Sequence, residues 1–149
     1  MLLNLSDIVS KNPKSSLVTY DESRNVAFEL KFIDKKELNR LNQQFTKMKF
    51  NPKTHQKEEE LDIEALRKEI CRLGVSGWKG ITLRWLVDQV PIDPEAIKGK
   101  NLDEEIEFSQ DNLNFLCDAL YGIDNWIFDS VRNAENFKAV EAQKAQVKN

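Results

Sequence analysis

The residues able to do acid–base or metal chemistry are few and scattered. His55 is the only histidine and sits in Asn51-Pro52-Lys53-Thr54-His55-Gln56. No cysteine or carboxylate stands at zinc-ligand spacing from it, so it reads as a solvated loop residue. Ser–His–Asp and Cys–His nucleophiles both need a histidine held in a packed site, which a loop position does not offer. Cys71 and Cys117 are the only cysteines, and each falls in an apolar helical pattern. They read as reduced, buried thiols, because a disulfide would need an oxidising compartment. Glu58, Glu59 and Glu60 read as the start of a helix, where carboxylates meet the positive end of the dipole, rather than as metal ligands. Gly74, Gly77 and Gly80 invite comparison with a phosphate loop. That loop requires Lys-Ser/Thr after a strand, whereas here Lys79 precedes Gly80 and a helical pattern comes first. There is no calcium-loop spacing, and acidic pairs without a pocket nominate no general acid or base. The reading is therefore non-enzymatic, with no catalytic, cofactor-binding or metal residues and no cofactor.

The chain has 149 residues and a formal charge of −3, from 22 Lys and Arg against 25 Asp and Glu. That length suits one domain and one core. A mildly acidic chain lacks the field that attracts nucleic acid, and its aromatic residues do not interleave with basic ones, so no nucleic-acid partner is expected. No stretch approaches the roughly 20 apolar residues of a membrane span. Met1 to Ser6 has no basic, long-apolar signal character. The expected location is the cytoplasm, with no membrane contact.

The elements follow from period and punctuation. Residues 1–15 form an N-terminal arm with one helical turn near Leu5–Val9, capped by Ser6. Residues 16–32 form a β-hairpin turning at Asp21–Asn25. Its second strand places Val26, Phe28, Leu30 and Phe32 on one face. Asp34-Lys35-Lys36-Glu37 has the form of a capping box. The helix it starts carries Leu38, Leu41, Phe45 and Met48 as one stripe and is expected to reach about Phe50. Residues 51–60 are the clearest flexible loop. A helix from Leu61 to Leu73 buries Ile63, Leu66, Ile70 and Leu73, shows Arg67, Lys68 and Arg72 to solvent, and stops at Gly74. A compact turn from Gly74 to Ile81 tucks Trp78 into the core. Ile81–Val90 is apolar without a clean period, and Asp93-Pro94-Glu95-Ala96 starts a short helix. Ile106–Phe108 is an extended piece that pairs with the hairpin. Ser109 caps a helix burying Leu113, Leu116, Cys117 and Leu120. Gly122 ends it, and Asp124 caps a last helix burying Ile127, Val131, Ala134 and Phe137. Residues 138–149 form a frayed tail. The expected class is α+β, mainly α: residues 1–149 as a single domain, with the N-terminal β-hairpin packed on a small bundle of about four to five helices.

Three features give a resemblance. One is the amphipathic helix leading into Gly77-Trp78-Lys79-Gly80-Ile81. The second is Ile106-Glu107-Phe108-Ser109-Gln110-Asp111-Asn112-Leu113. The third is the closing helix with Ile127 and Val131, then Asn136-Phe137 and an Ala/Lys tail ending Lys148-Asn149. In this order, over about residues 16 to 149, they resemble the tail assembly chaperones of long-tailed, siphovirus-like bacteriophages and prophages. The resemblance implies a small, mostly helical adaptor without catalytic residues. Its partners would be the phage tape measure protein, whose helical segments it keeps soluble, and the tail tube protein, whose subunits it helps recruit. It would act in the host cytoplasm and be absent from the mature virion. It also implies a frameshifted longer product near Lys148-Asn149, which AAA-AAY codons would permit. A chaperone for helices needs an exposed apolar groove. Trp85, Trp126 and Phe128 are the partner-binding candidates, because their local patterns do not force them into the core. A phage structural or head–tail connector protein and a helical adaptor or regulator stand as alternatives.

Overall fold

Strand β2 (Val26–Leu30) has a neighbour on each side. It pairs antiparallel with β1 (Ser16–Asp21) and with β5 (Val75–Lys79), giving a three-stranded sheet of order β1-β2-β5. Val26, Phe28 and Leu30 are all fully buried, as the period-two pattern predicts. Ala27, on the opposite face, is buried too. The structure is a computed structural model that describes residues 2–138. The expected tail therefore lies outside the described residues, except for Lys138.

Among those residues the chain has eight helices and five strands in two small antiparallel sheets, with roughly half of it helical. This corrects the expected mainly helical architecture of one hairpin on a bundle. In chain order the helices are α1 (Leu5–Ile8), a 3-10 turn (Glu22–Arg24), α2 (Lys35–Gln44), α3 (Ile63–Gly74), α4 (Leu83–Gln89), α5 (Pro94–Ile97), α6 (Gln110–Ala119) and α7 (Ile123–Arg132). A second sheet joins β3 (Thr46–Asn51) to β4 (Gln56–Leu61).

Two sequence readings fail for the same reason: a local pattern is overridden by strand pairing. The stripe from Leu38 to Met48 predicts a helix to Phe50, but α2 stops at Gln44. The Thr46 hydroxyl donates to the Asn42 carbonyl at 2.6 Å and closes the last turn. Thr46–Asn51 then runs out as β3. The stretch 51–60, expected as a flexible loop, is the tip and return strand of that hairpin. Asn51 builds the tip: its side-chain oxygen accepts from the Lys53 amide at 2.9 Å, and its carbonyl accepts from the His55 amide at 2.8 Å. At the base the Asp62 amide donates to the Phe45 carbonyl at 3.0 Å.

The expected turn from Gly74 to Ile81 is instead strand β5, with Phe28 opposite Trp78 and Ala27 opposite Lys79. Gly80, at φ 83°, ends it where any Cβ would sit 2.3 Å from the Asn25 carbonyl oxygen. Gly74 is not an ordinary left-handed helix end. It lies inside α3 where α7 crosses, and a Cβ there would stand 2.7 Å from Val131 Cγ1. Two backbone bonds extend the sheet edge beside this crossing. Lys31 donates to the Gly74 carbonyl at 2.8 Å and Ile33 to the Val131 carbonyl at 2.9 Å.

The caps divide. Asp34, Asp62, Thr82, Asp93 and Ser109 each accept a backbone amide at a helix start. Ser6 does not cap α1, which begins after Asn4. Asp124 does not cap α7, whose first turn it occupies behind Gly122. Ile106–Phe108 pairs not with the hairpin but with Ile81, whose carbonyl accepts the Ile106 amide at 2.7 Å. The Trp78 indole donates to the Ile106 carbonyl at 2.7 Å. Ile63 and Ala134 are exposed, against expectation, while Phe137 is buried and its ring lies 5.3 Å from that of Phe32.

The Gly74 crossing gives a test. Gly74→Ala would gain up to about 1 kcal/mol of helix propensity but overpack Val131, an effect that typically costs about 1–3 kcal/mol. We expect net destabilisation in urea unfolding, and partial recovery in the Gly74→Ala/Val131→Ala double variant. A more stable single variant would show that the crossing is not tight.

Candidate functional site

The three residues singled out as partner-binding do not form one surface. Trp85, on α4, is 2% exposed. Thr82 caps that helix by accepting the Trp85 amide at 3.1 Å, and the indole donates to Asp21 Oδ2 at 3.4 Å. This corrects the expectation that Trp85 is open to a partner. The apolar run from Ile81 to Val90 hid a helix whose inner face is the tryptophan. Trp126 is half-buried on α7, its ring 5.0 Å from Tyr20 and 5.7 Å from Phe28. Tyr20 also meets Phe28 and Trp85 edge-on, at 5.9 and 6.5 Å. It therefore joins the sheet to both tryptophans, and desolvation raises its phenol above the ordinary pKa. Phe128 is half-buried, with the Arg132 guanidinium 4.0 Å from its ring centre. Two residues apart on a helix, Trp126 and Phe128 point about 160° from each other.

The apolar surface left open lies elsewhere. Residues paired across an antiparallel ladder share a face. The pairs Thr46–Leu61, Met48–Glu59 and Phe50–Lys57 line one face of the β3–β4 hairpin. Lys47–Glu60, Lys49–Glu58 and Asn51–Gln56 line the other. The first face carries Met48 and Phe50, 59% and 56% exposed, with Leu61 also exposed. Ile63, just beyond the base, is 53% exposed. The second face is polar, with opposite charges across the strands and a Lys49–Glu60 ion pair of 3.4 Å. The hairpin is thus amphipathic, with its apolar face uncovered. His55 sits at its tip in a left-handed conformation, φ 56°, with its ring 6.3 Å from that of Phe50. Further apolar side chains, Leu2, Leu3, Leu5, Ile8 and Val9, stand exposed along the N-terminal arm.

Sequence reasoning missed this face because Met48 fitted the α2 stripe. The signal was present: Lys47-Met48-Lys49-Phe50 alternates strictly, and the turn Asn51-Pro52 is followed by a return run ending at Leu61. Among the described residues, no helix is long and apolar enough to cross a membrane. Comparison with family models, with curated proteins and with solved structures finds no match.

The two aromatic settings predict opposite outcomes. Trp85→Ala should lose about 3–5 kcal/mol, the usual range for emptying a buried aromatic site. Phe50→Ser should stay within about 0.5 kcal/mol, as exposed positions do. Urea unfolding of both variants checks this, and a large loss at Phe50 would mean that its ring is packed. Asp21 gives a pH test. The Ser23 hydroxyl, foremost, and then the Trp85 indole hold its carboxyl below the ordinary value. A depressed folded pKa contributes stability above the ordinary carboxylate range and loses it as pH falls through the folded value. The stability gap between the wild type and Asp21→Asn should therefore narrow on acidification. A gap that stays constant through the acid range would rule out this contribution.

Proposed function

We propose that the chain is a non-enzymatic tail assembly chaperone of a long-tailed bacteriophage or prophage. It binds the tape measure protein, helps recruit tail tube subunits, works in the host cytoplasm and is left out of the finished virion. The sequence resemblance suggests the family. The structural observation that best supports a holding role is the uncovered apolar face of the β3–β4 hairpin.

Chemistry and size narrow the occupant. Each strand of the hairpin has six residues, or about 20 Å of extended chain. About 13 residues of α-helix match that length. Met48, Phe50 and Leu61 offer a narrow apolar strip, suited to one stripe of an amphipathic helix. On this face β4 carries Glu59 opposite Met48 and Lys57 opposite Phe50, while Glu58 and Glu60 lie on the other face. A helix with a Lys or Arg set against Glu59 and an Asp or Glu set against Lys57 fits these charges, and complementary charge selects partners and register. The occupant is thus a short amphipathic helical segment of the tape measure protein, with a basic and an acidic residue flanking its apolar stripe.

The test is co-expression with the long helical product of the next large downstream gene. We expect that product to become soluble and to co-elute. Met48→Glu/Phe50→Glu should lower the co-eluting amount at least tenfold, which corresponds to about 1.4 kcal/mol, without moving the urea midpoint. If the product stays insoluble while this chain elutes alone, the chaperone reading fails. If binding survives the double variant, the family reading stands and the hairpin face is not the site.

A further inference from the structure

We propose that Cys71 and Cys117 form a reversible disulfide latch between α3 and α6, closed by a peroxide. The two cysteines are 46 residues apart in sequence, yet their sulfurs stand 3.8 Å apart. A disulfide bond is about 2.05 Å long, so closure requires the sulfurs to approach by less than 2 Å, by side-chain rotation and a small shift of the helices. Cys71 is buried and Cys117 half-buried. Both line a cleft with Arg67, Lys68, Asp118 and Asp124, so a small oxidant has a way in. The Arg67–Asp124 ion pair, at 3.8 Å, spans α3 and α7 in the same cleft. Among the described residues no group of three or more His, Cys, Asp or Glu could hold a metal.

The arrangement also distinguishes the two sulfurs. The Cys117 thiol donates to Cys71 Sγ. That bond holds Cys71 below the ordinary thiol pKa, with Arg67 adding to the effect. The same contact and burial push Cys117 up. Arg67, one helical turn before Cys71 and lining the same cleft, favours negative charge at that sulfur, so Cys71 is the thiolate that reacts first. Its sulfur attacks one peroxide oxygen, an S–O bond forms and the O–O bond breaks. The departing hydroxide takes a proton and becomes water. The Cys117 sulfur then attacks the Cys71 sulfenic acid. The S–S bond forms, the S–O bond breaks, and the Cys117 proton leaves with the hydroxide as a second water. Both sulfurs are oxidised and both peroxide oxygens are reduced. A dithiol reductant reverses the result by thiol–disulfide exchange.

The test uses the full reduced chain treated with a few equivalents of hydrogen peroxide, then denatured with an alkylating reagent. We expect the intact mass to fall by two hydrogens, both cysteines to escape alkylation, and one cross-linked peptide pair to contain Cys71 and Cys117. Dithiothreitol should restore both thiols. The link should form at least tenfold faster in the native chain than in urea. Oxygen adducts on the cysteines without the internal cross-link, links between chains instead of within one, or equal rates in urea would each overturn the proposal. The readout uses the wild-type chain, so it does not depend on a cysteine variant folding, and it is independent of any tape measure partner.

Discussion

The structure depends on β2 being held from both sides. β1 reaches it through a local turn, the 3-10 turn at Glu22–Arg24. β5 reaches it only after two helices and the second hairpin have intervened. Loop closure opposes such long-range pairing until buried contacts reward it, and here the reward is aromatic. Phe28 is fully buried and its ring meets Trp78 at 6.2 Å, Tyr20 at 5.9 Å and Trp126 at 5.7 Å. One strand position thereby ties β1, β5 and α7 together. Trp78 extends the cluster, meeting Phe108 edge-on at 5.1 Å and donating to the Ile106 carbonyl. The segment leading into α6 is thus fixed to the same sheet.

Helix α3 is the second constraint, because it must enter from the hairpin and leave as a strand. Its last residue is Gly74, and the closeness of Val131 explains why no side chain stands there. Leu66, Ile70 and Cys71 face inward on this helix. Ile127 and Val131 face inward on α7, and Leu113 and Leu116 on α6. The outer side of α3 carries Glu69 and Arg72, joined as an i,i+3 ion pair. Such exposed pairs add little stability. The charged outer face is a solvated one, as the alternation of acids and bases along the helix implies.

Much of this was legible locally. The period of two across Val26–Leu30, the Asp34 cap and the Ser109 cap each follow from short-range chemistry and stand as read, while of the α3 stripe Leu66 and Ile70 are buried and Ile63 is exposed. What escaped was partner choice. Val75–Lys79 has a strand's length but carries Gly77 and follows a helix without a loop. Only the register opposite β2 makes it a strand. Thr46–Asn51 lost the comparison because Phe45 and Met48 continue a helical spacing, and the strand outcome depends on residues ten positions later. Glu58-Glu59-Glu60 looked like a helix start because carboxylates favour one. Two of them instead sit opposite Lys47 and Lys49, a pairing that only register reveals. Trp85 was misplaced for the converse reason. Without a clean period, its side of α4 could not be assigned, and the indole's partner, Asp21, is 64 residues away.

The amphipathic hairpin is the element that the fold itself does not explain. An isolated two-stranded sheet is marginal in water, and this one is joined to the body through its base, by the Asp62–Phe45 backbone bond and the helices on either side. Its polar face has opposite charges paired across the strands, each a small gain. Its apolar face has no such account: Met48 and Phe50 stand more than half exposed. Isolated exposed apolar residues need no explanation, but a group on one face of a projecting element marks an interaction surface. The core is complete without the hairpin's apolar side chains, so changes to them leave the sheet around β2 undisturbed.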